Sequence, residues 1–345
     1  MSDKKQPNNI LDTDSRKILR TVGKLADDPS SYEETINMDK FFDLLGIDQK
    51  SSSEGLLEDL QKADLSYRLL NNIETEQLYS EIKNTIESGK LSKSGPGKLE
   101  IWEKGWGENL ANFLDSQDLA SLKPKFVRDG LIKRLKGQYI LPRNKDFESV
   151  FFSLIRRAVF EKYLMKCSSI YEFGAGTGHN LMAFQKYDPS KILVGTDWSE
   201  QSVDLMNELN KIDGVKIESF VFDMFMPNLN LELNESSGVL TVGALEQLGS
   251  NFWPFLFFLL RQKNVKYFVH FETFNEFYDT DTMEDRLAVA YCKQRNYING
   301  FISALNFLEL YGIVKVVQKT RTFGSQFHEG YSFIVWELGV KNFQT

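Results

Sequence analysis

Two periodicities alternate from Ser169 to Glu337, and this alternation most limits what the chain can fold into. Ser169–Phe173, Lys191–Thr196, Lys216–Phe222, Gly238–Gly243 and Val265–Phe271 are short apolar runs with the length and residue types of strands. Asn180–Lys186, Glu200–Leu209, Asn251–Gln262 and a long stretch Met283–Leu310 have helical spacing. Strands joined through helices pair in parallel, and a parallel sheet needs both faces covered. Gly312–Thr320 and Tyr331–Glu337 have no helix between them, so they read as an antiparallel hairpin at the sheet edge. The predicted class is α/β: a seven-stranded, mostly parallel, doubly wound sheet with a C-terminal hairpin. Phe147–Met165, with one apolar stripe, supplies a helix just before it.

This pattern occupies residues 146–345 and leaves a long N-terminal surplus. Residues 1–30 are polar and weakly patterned, which predicts a flexible or loosely docked arm. Residues 31–145 read as a mainly helical domain, a cap or an oligomerisation surface. Its apolar groups include Phe41, Phe42, Leu44, Leu45, then Leu56 to Leu65, then Leu69 to Ile86. Gly89–Gly97 is its clearest breaker, and Trp102 and Trp106 lie in the helical stretch that follows. Tyr139–Pro142 reads as a short extended segment.

The chemistry is announced at the first turn of the α/β part. Glu172-Phe-Gly174-Ala-Gly176-Thr-Gly178-His179-Asn180 follows a predicted strand and opens a predicted helix. Glycines allow backbone angles closed to other residues and let a ligand approach the main chain. Such turns lie at the carboxyl edge of a sheet, where ligands bind. The spacing is G-x-G-x-G and not the dinucleotide G-x-G-x-x-G. A carboxylate two residues before the first glycine also repels a pyrophosphate but suits an ammonium. Asp197 ends the second strand and Asp223 the third.

This set resembles motif I of class I S-adenosylmethionine-dependent methyltransferases, E/D-x-G-x-G-x-G, over about residues 147–345. The resemblance implies S-adenosylmethionine as cofactor and S-adenosylhomocysteine as product. By it, Glu172 orients the loop and holds the ligand's amino group, and Gly174, Gly176 and Gly178 admit the methionyl and ribose parts. Asp197 takes the ribose hydroxyls with Trp198 flanking the adenine. Asp223 contacts the adenine beside Met224, and Gly243, at the end of strand four, joins the cofactor-binding set.

The methyl acceptor is expected at the ends of strands four and five. Glu246, Glu272 and His270 lie there and are the candidate acid–base groups. His270 equally suits a satisfied core histidine. Gln247, and Tyr278, Arg295 and Tyr297 from a lid-like insertion over 276–311, are the candidate substrate-binding residues, with His328 from the last loop. Arg295 equally suits a solvated helix face, and His328 a surface histidine. No spacing supports a bound metal. The family's signature for amino methylation of nucleobases is missing after strand four.

Charge narrows the partners. Residues 1–150 carry 23 basic and 26 acidic groups and the remainder 18 and 22, so neither half is a basic nucleic-acid surface. The longest apolar run, Phe252–Leu260, is nine residues, under half of the roughly 20 needed to span a bilayer. With only Cys167 and Cys292 and a polar start, the expected compartment is the cytoplasm. The leading expectation is methyl transfer to an oxygen or nitrogen of a small polar metabolite: a sugar, nucleotide-sugar or natural-product intermediate. A protein methyltransferase that grips its partner through the N-terminal region is the second reading. A non-catalytic interaction subunit is the third, and a homodimer is compatible with each.

Overall fold

The computed structural model describes residues 34–122 and 132–339. The predicted arm over residues 1–30, and residues 123–131, lie outside the described residues. In chain order the N-terminal part runs β1 (Glu34–Thr35), α1 (Met38–Leu45), α2 (Glu54–Lys62), β2 (Ser66–Leu69), α3 (Asn72–Glu87) and α4 (Leu99–Ser116). β3 (Lys133–Leu135), β4 (Gln138–Pro142) and α5 (Phe147–Lys162) follow. The glycine turn then joins β5 (Ser169–Phe173) to α6 (His179–Tyr187), and β6 (Ile192–Asp197), α7 (Glu200–Leu209), β7 (Ile217–Val221) and β8 (Ser237–Val242) come next. α8 (Trp253–Leu260), β9 (Val265–Phe271), α9 (Met283–Arg295) and α10 (Phe301–Leu310) lead to β10 (Val314–Thr320), β11 (Phe323–Ser325) and β12 (Phe333–Leu338).

Seven strands form one sheet in the order β10-β12-β9-β8-β5-β6-β7. Numbered by appearance within this sheet, the order is 6-7-5-4-1-2-3. β5 pairs in parallel with β6 and β8, while β12 runs antiparallel between β9 and β10. The predicted parallel sheet with its terminal hairpin is therefore present. Helices cover both faces. Phe147, Phe151, Ile155 and Val159 recur every fourth residue of α5 and are buried against one face with α6 and α7. Each such side chain contributes about 1.5–3 kcal/mol. Phe255, Phe258 and Leu259 of α8 and Phe301 and Leu305 of α10 fill the other face.

The N-terminal part is not only helical. β1, β2, β4 and β3 make a second, antiparallel sheet, which β11 joins from the C-terminal hairpin. Leu65, Leu69 and Leu70 have helical spacing, yet Ser66–Leu69 is a strand, because Tyr67 to Leu69 pair with Ile140 to Pro142. The insertion also differs from the single long helix expected. It breaks between α9 and α10, where Asn296 (φ 54°) and Gly300 (φ 90°) take left-handed angles.

The two sheets share one core. Phe41 of α1 packs on Phe151 of α5, their rings 6.2 Å apart. Leu78, Ile82 and Ile86 of α3 pack with Leu287, Tyr291 and Cys292 of α9. Arg134 of β3 and Arg321 both bind Asp285 of α9, at 2.5 and 2.6 Å, and Arg321 also binds Glu329 at 3.0 Å. Two cations here face two carboxylates, so the buried charges are matched.

Candidate active-site cleft

The glycine turn is shaped by three residues with positive φ: Gly174 (74°), Gly176 (55°) and Gly178 (71°). At Gly174 a Cβ would lie 2.3 Å from that of Ala244, so only glycine fits. The turn is tied to β6, since the N–H groups of Gly174 and Ala175 both donate to the carbonyl of Thr196. Asp197 completes the tie. Its two carboxylate oxygens accept from the N–H of Gly176 and of Ser199, each at 3.0 Å. Burial pushes its carboxyl up to about 6, against the pull of those bonds.

These bonds shape a cleft over the carboxyl ends of β5, β6 and β8, enclosing about 800 Å³ that is partly open to solvent. β5 is where the chain turns from building outward through β6 to building through β8, the switch point at which α/β sheets bind ligands. Of the predicted cofactor residues, Gly174, Gly176, Asp197, Trp198, Asp223, Met224 and Gly243 line the cleft. Trp198 and Phe225 face one another at 5.4 Å beside Met224. Gly178 sits behind the loop, where a Cβ would meet Met206 at 2.9 Å. Glu172 also stands back. One of its oxygens accepts from Asn180 Nδ2 at 2.7 Å and the other is buried without a partner. Burial lifts its carboxyl to about 8. Its link to the cleft is Asn180, which lines the wall and accepts from Arg156 at 2.6 Å.

The roof of the cleft comes from α4. Trp102 and Trp106 stack at 5.6 Å and line it. A Cβ at Gly176 would lie 2.8 Å from the Trp106 ring, so the indole rests on the glycine loop. Glu103, between them, holds the helix down. Its carboxylate accepts from Ser199 Oγ (2.9 Å), Glu200 N (2.8 Å) and Gln201 N (3.2 Å), capping α7 where the helix end carries partial positive charge. Gly107 lets α4 approach that closely, since a Cβ there would be 3.2 Å from Gln201 Oε1. The pair of tryptophans one turn apart was the sequence signal for this roof; its position over the glycine turn was not.

The predicted acid–base residues are otherwise engaged. Glu272 accepts from the N–H of Ala244 (3.2 Å), Leu245 (3.0 Å) and Glu246 (3.0 Å), and so shapes the turn after β8. Glu246 accepts from Thr273 N and from Gln247 Nε2, each at 3.0 Å. Burial holds both carboxyls above the usual range, and the Glu246 charge adds to it at Glu272, which reaches about 8. His270 is fully buried beside Phe301 and Trp336, with Nδ1 2.9 Å from Thr241 Oγ1. Its burial pushes the imidazole down to about 3. Among these three, none lines the cleft.

The predicted acceptor-side residues divide. Gln247 lines the cleft and accepts from Ser94 Oγ at 2.5 Å. Behind it Arg295 lies 5.0 Å from the Tyr297 ring, and His328, 5.7 Å from that ring, pairs with Thr273 Oγ1 at 2.9 Å. Tyr278 is placed elsewhere. Its hydroxyl accepts from Glu329 N at 3.1 Å, and its ring lies between Arg134 and Arg321 at 5.5 and 5.2 Å. It therefore belongs to the ion cluster that joins the two sheets. Among the described residues no group of His, Cys, Asp and Glu has a metal-binding arrangement, and no helix is long and apolar enough to cross a membrane.

No family model and no curated protein matches the chain. Solved structures do resemble it, at low identity. The CMeT domain of the citrinin polyketide synthase is 13% identical, with 56% of this chain and 54% of that one covered and a TM-score of 0.39. The YcgJ protein of Bacillus subtilis is 13% identical, with 45% and 65% covered and a TM-score of 0.32. The plantazolicin methyltransferase BpumL, in complex with SAH, is 14% identical, with 75% and 99% covered and a TM-score of 0.39. The chain thus spans about half the length of the first of these and under two thirds of the second. The strand order, the terminal hairpin and the glycine turn at the switch point together give this chain the Rossmann-like class I methyltransferase fold.

Proposed function

We propose that the protein is an S-adenosylmethionine-dependent methyltransferase whose donor binds in the cleft under α4, and that it methylates an oxygen or nitrogen of a small polar metabolite. The single observation that carries this reading is the placement of Gly174, Gly176, Asp197 and Asp223 around one cleft at the switch point of the sheet. The residues suit the donor's parts. The glycine loop is a cradle that a side chain would fill, and Asp197 keeps acceptor capacity for ribose hydroxyls beyond its two backbone bonds. Glu172 acts from behind the loop, where it orients the Asn180 amide that lines the cleft wall. Trp198, Met224 and Phe225 offer a flat apolar wall for the adenine.

When bound, the donor supplies a methyl group on an activated sulfonium. The chain's own part is to align donor and acceptor and to exclude water, for which α4 and Gln247 are placed. Titration calorimetry with S-adenosylhomocysteine tests the reading. Micromolar binding to the wild type, weakened by about 1.5–3 kcal/mol in Asp197→Ala, is the expected result. Absence of binding would overturn it.

A further inference from the structure

A second cavity adjoins the cleft. It encloses about 900 Å³, partly open to solvent, between α5 and α6 with Tyr331 and Leu122 at its edge. His179, the first residue of the helix that follows the glycine turn, lines both spaces. The lining of the second cavity is unlike a packing defect. It holds Arg156, Lys186, Ser149 and Ser153.

Arg156 is the centre of this wall. It is 6% exposed, and one of its Nη atoms reaches Asn180 Oδ1 at 2.6 Å and His179 Nε2 at 3.1 Å. Its Nε has no partner, and neither has Ser149 Oγ, although both atoms are buried. Buried polar groups are ordinarily satisfied, so two orphans in one cavity wall call for an explanation. The other charges facing the cavity leave it positive. Glu148 is neutralised by Lys133 and accepts from Tyr331 at 2.7 Å. His179 stays neutral, since burial and the Arg156 charge push it down to about 3. Two cations, Arg156 and Lys186, therefore remain with two hydroxyls, the donor set of an oxyanion site.

The geometry points to this second cavity as the site for an anionic group, a phosphate or carboxylate, carried by the methyl acceptor. This inference rests on the methyl-transfer reading of the first cleft. The two cavities share His179 as a lining residue, so an acceptor anchored by its anion would lie beside the donor.

The test uses the full chain and two probes, inorganic phosphate and acetate, titrated calorimetrically at constant ionic strength with chloride as the balancing ion. Phosphate is expected to bind saturably. Lys186→Met, an exposed position, should weaken it about fivefold, and Arg156→Met about tenfold or more. Because Arg156 also holds Asn180, Ser153→Ala serves as a third variant with less risk to the fold, expected to weaken phosphate severalfold. S-adenosylhomocysteine is titrated in parallel, and Lys186→Met and Ser153→Ala should keep its affinity within about twofold. No saturable binding of either probe, or equal binding in wild type and all three variants, would overturn the anion site and leave the donor reading intact. Phosphate binding without S-adenosylhomocysteine binding would overturn the assignment to a methyl acceptor. Acetate bound more tightly than phosphate would mark the anion as a carboxylate, the reverse as a phosphate.

Discussion

The contact between Trp106 and Gly176 is the most exposed point of the structural argument, because a single methyl group tests it. In Gly176→Ala the new Cβ would lie 2.8 and 2.9 Å from two ring carbons of Trp106, at a residue whose φ is +55°. The left-handed angle alone costs about 1–2 kcal/mol for a residue with a Cβ. The overlap has a cheaper escape than backbone movement. Trp106 is only partly buried, so its ring swings out and loses its stack on Trp102, at about 0.5–1.5 kcal/mol. The expected loss is therefore about 2–3 kcal/mol in urea unfolding, accompanied by a red shift of tryptophan emission. Trp106→Ala removes the overlap but not the angle. In the double mutant the two losses should fall short of their sum by about 1 kcal/mol. Additivity within about 0.3 kcal/mol, with unchanged emission in Gly176→Ala, would refute the placement of α4 over the glycine turn.

Three further outcomes follow from the same geometry. Asp197→Ala should weaken S-adenosylhomocysteine binding by about 1.5–3 kcal/mol through loss of charge-assisted hydrogen bonds, read by calorimetry; unchanged affinity would remove the ribose role. Glu103→Ala leaves three donors at the start of α7 without their acceptor and should cost about 0.5–2 kcal/mol, with faster amide exchange over Leu99–Ser116; equal exchange rates would show that α4 is held by other contacts. Stability should fall as pH rises from about 6.5 to about 8, above the range in which the buried neutral histidines His179, His270 and His328 oppose the trend. Burial raises the Glu172 and Glu272 carboxyls to about 8 in the fold, so their contribution is full below the unfolded value of 4.5 and lost by pH 8, at up to about 1.4 kcal/mol per pH unit for each. A flat profile in urea melts between pH 6.5 and 8, identical in Glu172→Gln, would contradict their burial as neutral acids.

How much of this was legible in the sequence depended on how local the information is. The strand, the glycine turn and the acids at the ends of β6 and β7 lie within about fifty residues, and each is signalled by its own neighbours, so the cleft floor could be read directly. The roof could not. Glu103 reaches Ser199 across 96 positions, and nothing near either residue announces the partner. Ser66–Leu69 failed for a different reason. A four-residue strand inside a run of leucines has no period of its own, and its pairing with β4 decides the conformation. Tyr278, an aromatic hydroxyl in an insertion, suits a substrate site by sequence alone. Its partners, Arg134 and Glu329, lie 144 positions before it and 51 after it.

The same limit governs the acid–base question, where the structure changes the chemistry expected. Glu246 and Glu272 stand at strand ends where a base would be looked for, but their oxygens are taken by backbone N–H groups and by Gln247. Among the described residues the titratable groups that line the cleft are His179, Asp197 and Asp223. Asp197 gives both oxygens to N–H groups, and Asp223 gives one to Phe225 at 2.7 Å. His179 shares its Nε2 with Arg156, and protonating it beside that charge is unfavourable. On the proposed reading, then, the cleft aligns its reactants and offers no strong base among the described residues. An acceptor nitrogen that attacks as the neutral amine needs none, whereas a hydroxyl needs its proton removed as the bond forms. Within the proposed function, these contacts suit an amine better than an alcohol as the methyl acceptor. A rate that rises with pH through the amine's own pKa, unchanged in Glu246→Gln, would match that preference, and a rate abolished by Glu246→Gln with S-adenosylhomocysteine binding intact would reverse it.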